Sequence, residues 1–189
     1  MKSDNYAQYY KTKLEGALLF QDFVVDILMS QLSFVVALYG SKAYQQSVGE
    51  SRTGVEIKHD EKFCDTGNLY IEIAEKSRPR EGAYTTSGIY RDDNSWLWVI
   101  GDYDTLFIFG KRFLQLLHKS ERYRTIENNT KTSRGFLLPR EDAMKYCLIC
   151  LEPKKKSVIS NLATDLSKAG EELHRLVMQD AKQGTLFNK

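Results

Sequence analysis

Acidic and basic side chains alternate with apolar ones in two nearby stretches, TGVEIKHD at 53–60 and NLYIEIAEK at 68–76. Both read as β-strands, with Val55 and Ile57 on one face of the first and Leu69, Ile71 and Ile73 on one face of the second. Between them, Asp65-Thr66-Gly67 reads as a three-residue hairpin loop with the glycine at its left-handed position. In an antiparallel pair such a loop sets the register. It predicts Asp60 opposite Glu72, Lys58 opposite Ala74 and Glu56 opposite Lys76, all on the polar face. A longer loop would bring Glu56 opposite Glu72 instead, which keeps Glu56 among the candidate ligands.

Two carboxylates roughly 5 Å apart repel one another, so they either bind a cation or take up a proton. Mg²⁺, which favours one or two carboxylates together with water and phosphate oxygens, is the simplest cofactor, with Mn²⁺ as a substitute. Such an ion polarises a phosphoryl group and acidifies a water, while a lysine steadies the nucleophile or the developing charge. That is the chemistry of phosphodiester hydrolysis. Glu56, Lys58, Asp60, Glu72 and Lys76 would equally make ordinary cross-strand ion pairs on a wet sheet face.

These strands need a frame. From about Tyr9 to Ser30, Leu14, Leu18, Val24, Val25 and Leu28 recur at helical spacing, while Glu15, Asp22 and Asp26 share another face. LSFVVALY at 32–39 reads as a strand, followed by a polar loop to Gly54. SWLWVIG (95–101) and TLFIFG (105–110), joined by Asp102-Tyr103-Asp104, read as a buried strand pair, and KRFLQLLHK (111–119) as a helix. A basic loop at 120–134 leads to FLLP, where Pro139 ends a strand, and a helix follows from Arg140. Ser157 can cap a last helix over 157–183, whose Ile159, Leu162, Leu166, Leu173, Leu176 and Val177 form an interrupted stripe. The expected order is α-β-β-β-β-β-α: an α/β (α+β) chain with a mixed central sheet flanked by helices. One domain with a core at about 9–150 and a helical extension is expected.

The blocks GES-x-x-GVEIKHD (49–60), TGNLYIEIAEK (66–76), SGIY (87–90) and the WLWVIGD hairpin together resemble the PD-(D/E)XK, or restriction-endonuclease-like, superfamily, especially its phage- and mobile-element-type members. The resemblance covers about residues 15–120. It implies Asp60 and Glu72 as metal ligands, Mg²⁺ as the ion, and an assisting acid on the first helix, for which Asp22 is the candidate with Glu15 and Asp26 behind it. The lysine that normally follows the second acid by two positions is Ala74 here. In the hairpin register Lys58 lies across from Ala74 and is the replacement, with Lys76 as second choice.

Composition narrows the field less than these blocks do. The formal charge is only +2, but from Lys111 to Lys145 nine Lys or Arg stand against four acids (Glu121, Glu127, Glu141, Asp142). That stretch suits phosphates, so DNA is the expected partner, with Lys111, Arg112 and Arg134 as contacts. No apolar run approaches the ~20 residues of a membrane span, and the start lacks a signal-peptide core, so a cytoplasmic protein with reduced Cys64, Cys147 and Cys150 is expected. The lone CxxC at 147–150 is not read as a zinc site. His59 and His118 read as structural, and no phosphate-cradling GxxxxGK[ST] loop occurs. The expected function is an Mg²⁺-dependent endonuclease, possible as a homodimer. The alternatives are a nucleic-acid-binding or assembly module with a weakened site, and an interaction protein recruiting a partner through the stripe at 157–181.

Overall fold

In the computed structural model a long helix, α1 (Ser3–Leu32), buries Phe20, Val24 and Leu28 at four-residue steps, the spacing that keeps side chains on one face. After it come α2 (Lys42–Ser47), β1 (Val55–His59), α3 (Phe63–Thr66), β2 (Asn68–Glu75), β3 (Thr85–Thr86) and a 3₁₀ turn at Gly88–Tyr90. The chain continues with β4 (Leu97–Gly101), β5 (Leu106–Gly110), α4 (Lys111–Lys119), β6 (Thr125–Glu127), β7 (Ser133–Pro139), α5 (Arg140–Tyr146) and β8 (Ile149–Leu151). The structure describes residues 3–79 and 82–154, within one unit, Met1–Lys155. The helix expected at 157–183 and its apolar stripe lie outside the described residues. No helix among the described residues is long and apolar enough to cross a membrane.

The architecture is α+β with two four-stranded sheets. The first, β1-β4-β5-β8, is mixed: β1 runs parallel to β4, and the other neighbours are antiparallel. The second, β3-β2-β7-β6, is antiparallel throughout. Alternation along β4 and β5 divides the core. Leu97, Val99, Leu106 and Ile108 pack with Val55, Ile57 and the buried face of α1. Trp98, Ile100, Phe107 and Phe109 pack on the opposite side with Leu69 and Ile71 of β2, Phe136 and Leu138 of β7, and Leu114 of α4. Strand β4 is buried along its whole length, as a strand covered on both faces must be.

The expected hairpin of 53–60 with 68–76 does not form. Both segments are strands, but β1 pairs with β4 and β2 pairs with β7, so the two lie in different sheets. Phe63 is the physical reason. It is fully buried against Phe107, with ring centroids 5.4 Å apart, and it draws the connection into a helical turn instead of a tight loop. Gly67 does adopt the left-handed conformation (φ 64°), as the cap that ends α3. The segment 32–39 also differs. Leu32 ends α1 and the residues after it form no strand, making one isolated bridge, Leu38 to Ser51. The β4–β5 pair, α4, β7 and α5 form where the sequence pattern places them.

Candidate functional site

Glu56 and Lys58 lie two residues apart on β1 and so share the face opposite Val55, Ile57 and His59. They stand in an open cleft of about 1230 Å³ that also takes in Glu50, Asp60, Glu72, Arg91, Gln21 of α1 and Asn128–Thr130 of the β6–β7 loop. The Lys58 ammonium donates to Glu56 Oε1 at 2.6 Å and sits 5.6 Å from the centre of the Trp98 ring. Burial alone would lower the Lys58 pKa; Glu56 and Glu50 outweigh it and hold the ammonium above the ordinary lysine value.

Glu50 reaches the cleft from the loop before β1. Its backbone carbonyl accepts the Tyr39 N–H at 3.1 Å, and the next residue, Ser51, bridges Leu38, so the extended segment 36–39 pins the loop. The Ser51 hydroxyl closes the turn by bonding both the N–H and the carbonyl of Val55. The Glu50 side chain then turns back onto β1, where Oε2 accepts the Ile57 N–H at 2.8 Å. Strand β1 is an edge strand, so this N–H has no strand partner on that side. Burial and the neighbouring Glu56 raise the Glu50 carboxyl to about 7, against the pull of Lys58, the Ile57 N–H and Arg91.

Behind Glu56 stands a relay of charges. Arg91 Nη2 donates to Glu56 Oε2 at 3.2 Å and Arg91 Nε donates to Asp93 Oδ2 at 2.5 Å. Asp93 is held in turn by Lys111 Nζ at 2.7 Å and by the N–H and hydroxyl of Ser95. Burial would raise the Asp93 carboxyl; Lys111, Ser95 and Arg91 instead bring it down to about 2.

Glu72 faces the same cleft from the second sheet. Ser87 and Ser133 donate their hydroxyls to its two oxygens at 2.8 and 2.7 Å. Gly88 permits this contact. With φ +56° it lies so close to β2 that an added Cβ would come within 2.0 Å of the Glu72 carbonyl oxygen. Asp60 and Glu72 are not cross-strand partners; both line a cavity of about 220 Å³ together with Lys58, Tyr70 and Trp98. The Asp60 carboxylate accepts the N–H groups of Tyr70 at 2.7 Å and Lys62 at 3.2 Å, fastening the start of the β1–β2 connection. Burial lifts its carboxyl above the ordinary aspartate value despite those two donors.

Other residues singled out from the sequence lie elsewhere. Lys76 stacks over Tyr84 at 4.7 Å, as does Arg134 at 4.0 Å, and Arg134 also pairs with Glu127. Asp22 and Asp26 point to solvent, and Glu15 pairs with Lys11 at 3.9 Å. Each residue turns the helix by about 100°, so Gln21, and not Asp22, faces the cleft. Lys111 is no phosphate contact: it is 5% exposed, and its three donors go to Arg91 O, Asp93 Oδ1 and Ser95 Oγ. Arg112 is exposed and does not line the cleft. His59, by contrast, does line the cleft, with its ring stacked on Phe20 at a centroid distance of 4.2 Å.

Pattern reading from the alternating strands passed over Glu50, Arg91 and Asp93. Glu50 and Arg91 lie in irregular segments where neither a period of two nor one of 3.6 marks a face. One local signal was present: Glu56-Ile57-Lys58 is an acid-x-lysine triplet. Among the described residues no three His, Cys, Asp or Glu side chains gather to hold a metal ion. The two carboxylates nearest Lys58 are already engaged, Glu56 by Lys58 and Arg91 and Glu50 by the Ile57 N–H. No protein family matches the chain, and no curated protein or solved structure matches it.

Proposed function

We propose that the cleft is the active site of a divalent-cation-dependent nuclease that hydrolyses phosphodiester bonds in DNA, centred on Glu50, Glu56 and Lys58, with Asp60 and Glu72 at its margin. The observation that carries this reading is the convergence of two carboxylates and a lysine in one open cleft, with Glu50 raised to about 7. The acid-x-lysine spacing missing at Ala74 is present at Glu56-Ile57-Lys58. A helix packed on a mixed sheet whose edge strand carries that triplet supports a restriction-endonuclease-like core.

Glu50 and Glu56 would hold Mg²⁺ or Mn²⁺, which when bound supplies charge to polarise the scissile phosphoryl group. Lys58, already charged and aimed into the cleft, stabilises the charge that develops on phosphate oxygens or orients the attacking water. Glu72, fixed by two serine hydroxyls, is placed to accept a hydrogen bond from that water across the smaller cavity.

Incubation with plasmid DNA and Mg²⁺ tests the assignment. Nicking by the wild type, lost on Glu56→Gln or Lys58→Ala and retained on Lys76→Ala, is the expected result; equal nicking by all four proteins would overturn it. A second reading has its own observation. Both Glu56 oxygens are engaged by Lys58 and Arg91, which suits a module that binds nucleic acid without cutting it. DNA binding without nicking at any divalent-cation concentration would select that reading.

A further inference from the structure

The two cations on Glu56 lie nearer the cleft than the carboxylate that holds them. The Glu56 side chain is 4% exposed, whereas those of Lys58 and Arg91 are 40% and 29% exposed, and both line the cleft. Glu50 is buried beside Glu56. A group entering here therefore meets an ammonium and a guanidinium, with the carboxylates beneath them. Lys58 gives one of its three N–H donors to Glu56 Oε1. Arg91 gives two of its five, one to Glu56 Oε2 and one to Asp93 Oδ2. Both keep N–H donors that meet no acceptor among the described residues. Asp93, itself held by Lys111 and Ser95, fixes Arg91 from behind, and the Lys58 ammonium rests over Trp98 at 5.6 Å, so a ligand would find both side chains already ordered. Two cations on one carboxylate are close enough to share one tetrahedral oxyanion, and charge-assisted N–H donors suit phosphate.

We propose that Lys58 and Arg91 form a clamp for a phosphate oxyanion that needs no divalent cation, with buried Glu56 as the spacer that holds the two cations side by side. The clamp rests on the phosphate-binding part of the reading above, not on its hydrolytic step. Glu50 tunes it. Protonated, Glu50 leaves Lys58 and Arg91 to outweigh Glu56 by one charge; ionised, it brings the four groups to neutrality. With that carboxyl at about 7, anion affinity falls as pH rises through neutrality. The charged groups that face Glu50 are Glu56 and Lys58 of β1 and Arg91, while Gln21 of α1 and Gln45 of α2 line the cleft without charge. Asp93, Ser95 and Lys111 are positioning residues, because they act on the anion only through Arg91.

Two probes in EDTA at constant ionic strength test the clamp: a short fluorescein-labelled duplex DNA followed by anisotropy, and inorganic sulfate, which does not titrate near neutrality, followed by calorimetry. Lys58→Ala and Arg91→Ala should each weaken binding about ten- to a hundredfold. Arg91→Lys should recover part of the loss, because one ammonium replaces a fork of donors. From pH 6 to pH 8 the wild-type affinity should fall about three- to tenfold. Glu50→Gln, which keeps an acceptor for the Ile57 N–H, should hold its affinity over the same range. His59 and Asp60, whose pKa values burial also shifts, titrate in both proteins, so the comparison isolates Glu50. Duplex binding with this variant and pH pattern makes the nucleic-acid backbone the ligand; the same pattern with sulfate alone makes it a small phosphate, and either supports the clamp. No binding of either probe, unchanged affinity in folded Lys58→Ala and Arg91→Ala, or parallel pH profiles for wild type and Glu50→Gln would overturn it. If the alanine variants fail to fold, Arg91→Lys and Glu50→Gln still give the readout. Nicking with Mg²⁺ but no metal-free binding would remove the clamp and leave the nuclease reading standing; metal-free binding without nicking would do the reverse.

Discussion

Glu50 is a residue whose protonation links stability to pH near neutrality. Its carboxyl stands at about 7, against an ordinary 4.5, because it is buried beside Glu56. The folded protein therefore keeps a proton that the unfolded chain gives up above about pH 4.5. Stability falls as pH rises from about 4.5 to about 7 and stays lower above that, by a contribution on the order of 3 kcal/mol. Glu50→Gln keeps an acceptor for the Ile57 N–H and removes the titration. In thermal melts with EDTA, the variant should match the wild type near pH 4.5 and exceed it increasingly toward pH 7.5. Parallel pH profiles for the two proteins would mean that Glu50 is not the raised carboxyl. Lys58 and Asp93 need no such adjustment at neutral pH, since their partners stabilise their charged forms.

At the level of elements, the site depends on how closely backbone approaches backbone. Strand β2 carries a bulge between Glu72 and Ala74, where its register with β7 slips from Gly135 to Arg134. Beside that bulge the 3₁₀ turn at Gly88–Tyr90 brings Ser87 onto Glu72. Two glycines with positive φ make a controlled comparison. Gly67 (φ +64°) has nothing within 4 Å of an added Cβ, so Gly67→Ala carries only conformational strain, about 1 kcal/mol. Gly88 (φ +56°) would push a Cβ to 2.0 Å from the Glu72 carbonyl oxygen. Gly88→Ala should therefore cost more than about 2 kcal/mol in denaturant unfolding and should also displace Ser87 from Glu72. Equal costs for the two variants would show that the turn does not bear on β2 as described.

Across the described molecule, the cleft exists because the chain leaves one sheet after β1 and enters the other at β2. Phe63 governs that crossing. Its ring is fully buried against Phe107 of the first sheet and lies under the Arg140 guanidinium at 4.8 Å, at the start of α5. Phe63→Ala should cost about 3–5 kcal/mol in urea unfolding, the range for removing a large aromatic from a packed core. A loss under about 1 kcal/mol would show that the crossing is held by α3 and Asp60 alone.

The amphipathic first helix, the buried β4–β5 hairpin around Asp102-Tyr103-Asp104, and α4 after it were legible in the sequence. Each is defined by contacts between near neighbours and by a period that burial of one or both faces imposes. Alternation in VEIKH also placed Glu56 and Lys58 together on one face, a purely local consequence of strand geometry. The sequence did not determine which strands pair. Hairpin pairing is the local solution for 53–60 and 68–76, but burying Phe63 and giving the apolar β4 a parallel neighbour outweigh it. That choice moved Asp60 to a backbone clasp, separated Lys76 from the cleft and committed Lys111 to a buried ion pair. It also brought in Glu50 and Arg91, whose loops carry no periodicity. Their positions follow from long-range hydrogen bonds and ion pairs, which only the tertiary structure decides.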